Sequence, residues 1–462
     1  MPFVCVDART GAPYDAGMAL IEPRTLKGFR DYLPEAQIPR EWLIDTAKRV
    51  YRSYGFLPID TPALEYEEIL AGKGGEESDK QMYRFEDHGG RRVALRFDLT
   101  VPLARFVAQH SNVLGMPFKR YHVATVWRGE NTQRGRYREF MQCDFDTIGT
   151  ESIAADVETV LVVHDLMRAI GFETSVVRVN NRKLLTGLLE SLELSHNATQ
   201  VLRALDKIDK IGPEKVAEEM ARTASASPSQ CAAILSLAQV QGSSDAVLAR
   251  LEVVARASER GRAGHGELAR VLEGARAAGL RENAVQIDVA IARGLDYYTG
   301  TVLETSLAEL PGIGSVCSGG RYDDLANLYT KERLPGIGAS LGLDRLLSAM
   351  EELKLLPTSR ATAPIFVAYF DEARFNEYVA FAAKLRASGL GVELYPDAKK
   401  LKTQLQYADR RGFTFAIVIG SDEWQSGMCQ VKNLKNGESV VVPRLDETND
   451  ALGPDLLSRL RA

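Results

Sequence analysis

Residues 118–149 constrain the fold more than any other stretch. They read FKRYHVATVWRGENTQRGRYREFMQCDFDTIG. The runs KRYHVATVWRGE and REFMQCDFDTIG alternate apolar and polar residues, as half-buried strands do, on either side of a polar, arginine-rich loop. Alternation along the second run puts Phe140, Gln142, Asp144 and Asp146 on one face and Met141, Cys143 and Phe145 on the other. The stretch ALRFDLT, read the same way, groups Arg96, Asp98 and Thr100 opposite Leu95, Phe97 and Leu99. These strands predict an antiparallel sheet with one apolar face and one face of carboxylates, an amide and an aromatic ring. Arg128, Arg134, Arg136 and Arg138 crowd the loop, and arginine offers a planar, always-charged fork suited to phosphate. On the residues alone, a solvated outer face and a salt-laced surface hairpin both stay open.

The rest of the chain is organised around this unit. PREWLIDTAKRVYRSYGF carries a helical stripe (Trp42, Leu43, Ala47, Val50) that stops at Gly55. From about Val179 to Leu280 the chain turns rich in Ala, Leu, Glu and Arg. There GPEKVAEEM places Pro213 as a first helical residue, and GHGELARVLEGARAAG starts and ends with glycines around a stripe. Strand patterning returns in VQIDVAIARGLDYYTGTVLET, followed by the glycine-rich SGGRYDDL and the helix former SLGLDRLLSAMEEL. After the linker LPTSRATAP, the segments PIFVAYF, FNEYVAFAAKLRASG, GVELYP, LKTQLQYADRRG and FAIVIG read strand, helix, strand, helix, strand, a small α/β domain. The expected division is an extension over 1–25, a sheet domain over 26–178 and 284–355 interrupted by a helical insertion over 179–283, and the α/β domain over 363–462. No internal repeat is evident.

Composition narrows the function classes. Hydrophobic residues make up 45% and charged residues 26%, an ordinary globular balance. No apolar run approaches the roughly 18 residues that a membrane span needs. The N-terminal stretch has neither the apolar core of a signal peptide nor the Arg/Ser bias of a transit peptide. A net charge of −5 argues against a surface given over wholly to nucleic acid but allows local basic patches. The five cysteines have neither zinc-ligand nor redox spacing, which predicts a reduced protein with cysteines as small buried hydrophobes. His110, His122, His164, His196 and His265 have no metal-ligand spacing either, so they read as structural or surface residues and no metal site is expected.

Trp127-Arg128-Gly129-Glu130 followed by Arg136-Tyr137-Arg138-Glu139-Phe140 resembles motif 2 of class II aminoacyl-tRNA synthetases, in the form found in the histidyl-tRNA synthetase family. ARGLDYYTGTVLE resembles that family's histidine-specific signature, SGGRYDDL its companion segment, and GIGASLGLDRLL class II motif 3. TLKGFRDYLPE and the helix running to IDTP resemble the family's N-terminus and motif 1, with Pro62 at the motif 1 proline. The resemblance covers the chain from about Leu26 onward. It implies an α+β fold: a class II antiparallel-sheet catalytic domain with a helical insertion, plus a C-terminal α/β anticodon-binding domain. The activity it implies is that of a cytoplasmic, homodimeric histidine–tRNA ligase. Such an enzyme uses ATP with Mg²⁺ to convert L-histidine to histidyl-adenylate and passes it to the 3′ end of tRNA(His).

Carried residue by residue, the resemblance puts Arg128 and Arg293 on the α-phosphate and the histidine carboxylate, and Arg345 on the γ-phosphate. Glu130 would lie near the adenine edge, with Phe140 stacked under the ring. Asp98, Thr100 and Gln142 would surround the α-amino group, and Asp146 and Tyr298 the imidazole, with Leu99 and Tyr297 also among the histidine-binding residues. Tyr297 and Tyr298 are neighbours, so both can line one pocket only if RGLDYYTG is bulged or a loop. Asp98 and Asp146 stand where some members carry Glu, which shortens the carboxylate's reach by one methylene. Whether the tRNA needs an extra 5′ guanosine stays open on the sequence, with Gln133 and Arg136 of the motif 2 loop as the candidates for reading it. Lys399, Lys400 and Lys402 would form a basic edge for single-stranded bases, with Tyr395 available to stack. Three rival readings are a regulatory paralogue without synthetase activity, a non-enzymatic tRNA-binding module and a class II synthetase for another amino acid. Against the first stand Arg128, Arg293, Arg345 and the C-terminal domain; against the second stand the intact motifs; against the third stand RGLDYYTG and Asp146.

Overall fold

The computed structural model describes residues 21–71, 81–132, 135–205, 207–291, 297–356, 361–445 and 451–461. Its centre is an eight-stranded sheet. In chain order these strands are β1 (Leu57–Pro58), β5 (Phe118–Trp127), β6 (Glu139–Ile148), β7 (Ser175–Asn181), β8 (Val285–Ile287), β9 (Thr301–Leu307), β10 (Cys317–Tyr322) and β11 (Gly336–Gly342). They lie in the order β1-β5-β6-β11-β10-β9-β7-β8. The interior pairs are antiparallel, and only the two edge pairs, β1 with β5 and β7 with β8, are parallel. Between β1 and β5, strands β2 (Leu64–Tyr66), β3 (Arg84–Glu86) and β4 (Arg92–Leu95) form a small antiparallel sheet.

One face of the large sheet is apolar and covered. Cys143 and Phe145 of β6, Leu341 of β11 and Cys317 of β10 share a core with Leu43, Ala47 and Tyr51 of the helix Pro34–Ser53 and with Val163, Leu166 and Met167 of the helix Ile153–Ile170. The stripe read from PREWLIDTAKRV is that contact face, except that Trp42 lies at its margin. Cys143, Cys231, Cys317 and Cys429 are buried, as expected of small hydrophobes; Cys5 lies outside the described residues.

The connection between β7 and β8 is helical from Arg182 to Ala277, and its apolar residues join the same core. Pro213 does start a helical stretch, because Gly212 before it is non-helical (φ 79°, ψ 162°). The glycines of GHGELARV do not mark a helix start. The helix begins at Glu259, capped by the Ser258 side chain. Gly264 sits inside it, where a Cβ would come within 2.9 Å of the Leu184 nitrogen in the neighbouring helix Arg182–Ser191. There glycine serves close helix packing rather than termination.

ALRFDLT also departs from its expected form. The strand stops at Leu95 and the chain enters the helix Thr100–His110. Arg96 therefore leaves the face of Asp98 and Thr100. It is buried instead against the Thr61 and Thr125 carbonyls, at 2.5 and 3.0 Å.

The C-terminal sheet runs β13-β12-β14-β15-β16: β12 (Ile365–Val367), β13 (Val392–Leu394), β14 (Phe415–Val418), β15 (Met428–Asn433) and β16 (Ser439–Pro443). Its first three strands are parallel, with helices in the connections, and the hairpin β15–β16 extends it antiparallel. Tyr395 is not available for stacking on a base. It is 8% exposed and packs edge-on against Phe366 and Tyr407. Lys399 pairs with Asp397 at 2.9 Å.

Candidate active site

The uncovered face of the large sheet forms the floor of a cavity of about 390 Å³. Cross-strand register explains its shape. Asp146 of β6 faces Arg120 of β5 on one side and Gly338 of β11 on the other, and Asp144 faces His122 and Ser340. Gly338 in turn pairs with Gly320 of β10. A Cβ at Gly338 would fall 2.2 Å from an Asp146 oxygen, and one at Gly320 would fall 2.9 Å from the Tyr298 ring. Missing side chains on β10 and β11 thus leave room above the carboxylates of β6.

One end of the cavity is anionic and aromatic. Asp98, Gln142, Asp144 and Asp146 line it together with Tyr297 and Tyr298. Asp98 and Thr100 reach it from the start of a helix rather than from a strand, and an Asp98 oxygen accepts from the Val101 amide at 3.1 Å. Tyr297 and Tyr298 meet edge to face at 5.0 Å and belong to no strand, as their joint presence in one pocket requires. Tyr322 donates to Asp146, whose other oxygen lies 2.6 Å from Arg120 in an ion pair hidden from solvent. Burial pushes all three carboxyls upward, Asp98 to about 6 and Asp144 to about 7; Arg120 pulls Asp144 and Asp146 back down.

The other end is cationic. Arg128, Arg136 and Arg345 line the cavity with Glu130, which lies 3.9 Å from Arg128 and 3.6 Å from Arg136. Burial, then the neighbouring Arg136 and Arg128, lower the pKa of Arg345, which donates to the Ser315 carbonyl at 2.5 Å. Arg128 stands between the two ends: its Nε donates to the Phe97 carbonyl at 2.9 Å and its guanidinium lies 5.2 Å from the centre of the Phe140 ring.

One expected site residue among those described, Leu99, is not brought into this cavity. The Leu99 side chain packs with Ala124 and Val126 beneath Phe140, and only its carbonyl takes part, accepting from Arg120 at 3.4 Å. Arg293 lies outside the described residues, as do Gln133 and Arg134.

Sequence reasoning missed Arg120, Ser340, Tyr322 and Asp344. Arg120 carried a legible signal, because it falls in register with the polar face of an alternating strand. Asp344 gave none. It accepts from Arg30 at 2.7 Å, Tyr32 at 2.6 Å and the Met141 amide at 3.0 Å, joining three segments far apart in the chain. Arg30 also lies 3.9 Å from the Tyr137 ring, so Asp344 ties the motif 2 loop to the N-terminal segment.

The histidyl-tRNA synthetase family model matches residues 28–346, spanning both ends of this cavity. The chain belongs to the histidyl-tRNA synthetase family. An anticodon-binding domain model matches residues 365–449 of the same synthetase. Among its relatives, the histidine–tRNA ligase of Rhodopirellula baltica is 57% identical over 94% of this chain and 98% of that protein. The ligase of Wolinella succinogenes is 45% identical over 91% and 96%. The crystal structure of histidyl-tRNA synthetase from Nostoc sp. PCC 7120 superposes with a TM-score of 0.86 at 36% identity, covering 96% of this chain and 99% of that one. This synthetase is a histidine–tRNA ligase, and enzymes of its family use ATP. No described helix is long and apolar enough to cross a membrane.

Proposed function

We propose that the cavity carries out both steps of histidylation, with histidine at the anionic end and ATP at the arginine end. The histidine carboxylate attacks the α-phosphorus, a P–O bond forms, and pyrophosphate leaves. The 3′-terminal ribose hydroxyl of tRNA(His) then attacks the acyl carbon and AMP leaves. No protein nucleophile is needed. The protein supplies placement and fixed charge where negative charge builds on phosphate oxygens. Arg128, at the junction of the two ends, serves the α-phosphate and the substrate carboxylate, and Arg293 acts on the same atoms. Arg345 holds the γ-phosphate, Phe140 stacks on adenine and Glu130 lies at its edge.

Asp98, Thr100 and Gln142 take the α-ammonium, while Asp146 and Tyr298, with Tyr297 beside them, read the imidazole. A pocket of buried hydrogen-bonding groups rejects apolar amino acids, which would leave those groups unpaired. Glu304, in the wall near Arg345, would help to hold a Mg²⁺ carried by the nucleotide, which would offset phosphate charge. The enzyme works as a cytoplasmic homodimer joined through the motif 1 region around Pro62. Residues 179–283 reach the acceptor stem and residues 363–462 the anticodon.

The observation that carries this reading is the pairing, in one cavity, of three arginines with the three buried carboxylates of its anionic end. Amino-acid-dependent ATP–pyrophosphate exchange, run with each of the twenty amino acids and without tRNA, tests it. Exchange with histidine alone is expected. Folded protein that exchanges with none, or with another amino acid, overturns it. Arg293→Ala should keep the fold and lose most of the exchange; a near-normal rate would remove that residue from the mechanism.

A further inference from the structure

Gln142 is 8% exposed and donates from Nε2 to the Ser340 hydroxyl at 2.8 Å. Its Oε1 is buried, with no partner among the described residues, and the side chain lines the cavity. An amide can turn over and exchange its oxygen for its nitrogen, so something must select this orientation. Turned the other way, Gln142 would present N–H groups to the cavity and repel an ammonium.

The selection lies one residue further along the sheet. Ser340 of β11 sits directly opposite Asp144 of β6 on the cavity face. A hydroxyl has one proton to give, and an ionised carboxylate can only accept. Asp144, buried and in register directly opposite Ser340, is placed to draw that proton in its ionised form, which prevails above about pH 7. Ser340 then has only lone pairs left for Gln142, which must offer its NH₂ there and its oxygen to the cavity. We propose that Ser340 and Asp144 are positioning residues for histidine binding, a hydrogen-bond chain that locks the Gln142 amide with its oxygen toward the substrate's α-ammonium. This rests on the assignment of Gln142 to the α-amino end.

Ser340→Ala removes the chain without changing charge or adding volume. In the full-length enzyme at pH 8, where Asp144 is mostly ionised, ATP–pyrophosphate exchange should show KM for histidine raised about 10-fold, the scale of one misdirected hydrogen bond to a charged group. The kcat should stay within about twofold and KM for ATP should be unchanged. L-Histidinol, which keeps the ammonium, should inhibit about 10-fold less well. Imidazole-4-propionate, which lacks it, should inhibit as before. Ser340→Thr, which keeps the hydroxyl, should restore histidinol binding. An unchanged KM for histidine, or equal weakening of both inhibitors, overturns the proposal, since a merely loosened pocket would affect both alike. Gln142→Ala separates the two levels. If it leaves histidinol binding intact, the assignment of Gln142 falls and the chain with it; if it weakens histidinol while Ser340→Ala does not, the chain alone falls.

Discussion

Strand β6 buries Gln142, Asp144 and Asp146 along one face, whereas the C-terminal sheet buries Ile365, Phe366 and Val367 of β12 in succession, with helices in its connections. Both regions contain hidden polar side chains, but these are treated differently. In the C-terminal domain Gln404 is saturated: its amide donates to the Tyr369 and Lys399 carbonyls and accepts from the Tyr369 amide at 2.8 Å. The exceptions there, Trp424 Nε1 and Arg444 Nε, belong to side chains stacked on each other at 3.9 Å. Around the cavity, Asp98, Gln142 and Asp144 each keep an oxygen, and Arg120 two nitrogens, without a partner among the described residues. Buried polar groups are ordinarily paired, so a cluster of unpaired ones marks a surface made for a charged ligand. On the proposed reading, the saturated Gln404 holds structure, and the unsaturated groups around the cavity meet the substrate.

The sharpest way to break this comparison is to remove the cation from under the carboxylates. Arg120→Met leaves Asp146 buried without its counter-ion and should cost about 3–5 kcal/mol in denaturant unfolding. Unchanged stability would mean that the pair is not what supports the floor. Next in size, Arg128→Ala should lower histidine-dependent exchange by about 10²–10³-fold with unfolding unaffected, the usual effect of losing one donor aimed at developing charge. Gln404→Ala should do the reverse, lowering stability by about 1–3 kcal/mol while exchange per folded molecule stays the same. A loss of exchange there would blur the distinction between the two regions.

The smallest effect is a dependence on pH. Burial raises Asp144 from 3.8 to about 7, so the folded protein binds this proton more tightly than the unfolded chain. The stability it contributes is fully present below about pH 4 and is lost as pH rises toward 7. His122, depressed to about 4 mainly by burial, acts in the opposite sense between about pH 4 and 6.5. Asp144→Asn isolates the carboxyl's effect: its melting temperature should gain on the wild type as pH rises from 5 to 8. A constant difference across that range would mean that Asp144 titrates near its ordinary value.

Much of the site was legible because it depends on local geometry. A strand repeats every two residues, so Phe140, Gln142, Asp144 and Asp146 had to share a face whatever surrounded them. The need for a loop at Tyr297 and Tyr298 followed from the same rule. Asp98 and Thr100 were grouped correctly, but as a strand. The chain turns at Asp98 into a helix, and so Arg96 went elsewhere. What the sequence alone could not determine was which strands would be neighbours. Arg120 under Asp146, Gly338 making room above it, Ser340 against Gln142 and Asp344 gathering Arg30, Tyr32 and the Met141 amide all join segments distant in the chain. Propensity and periodicity act over a few residues, while strand order and register are settled by how the whole apolar face packs, and only that packing decided which polar groups met across the cavity.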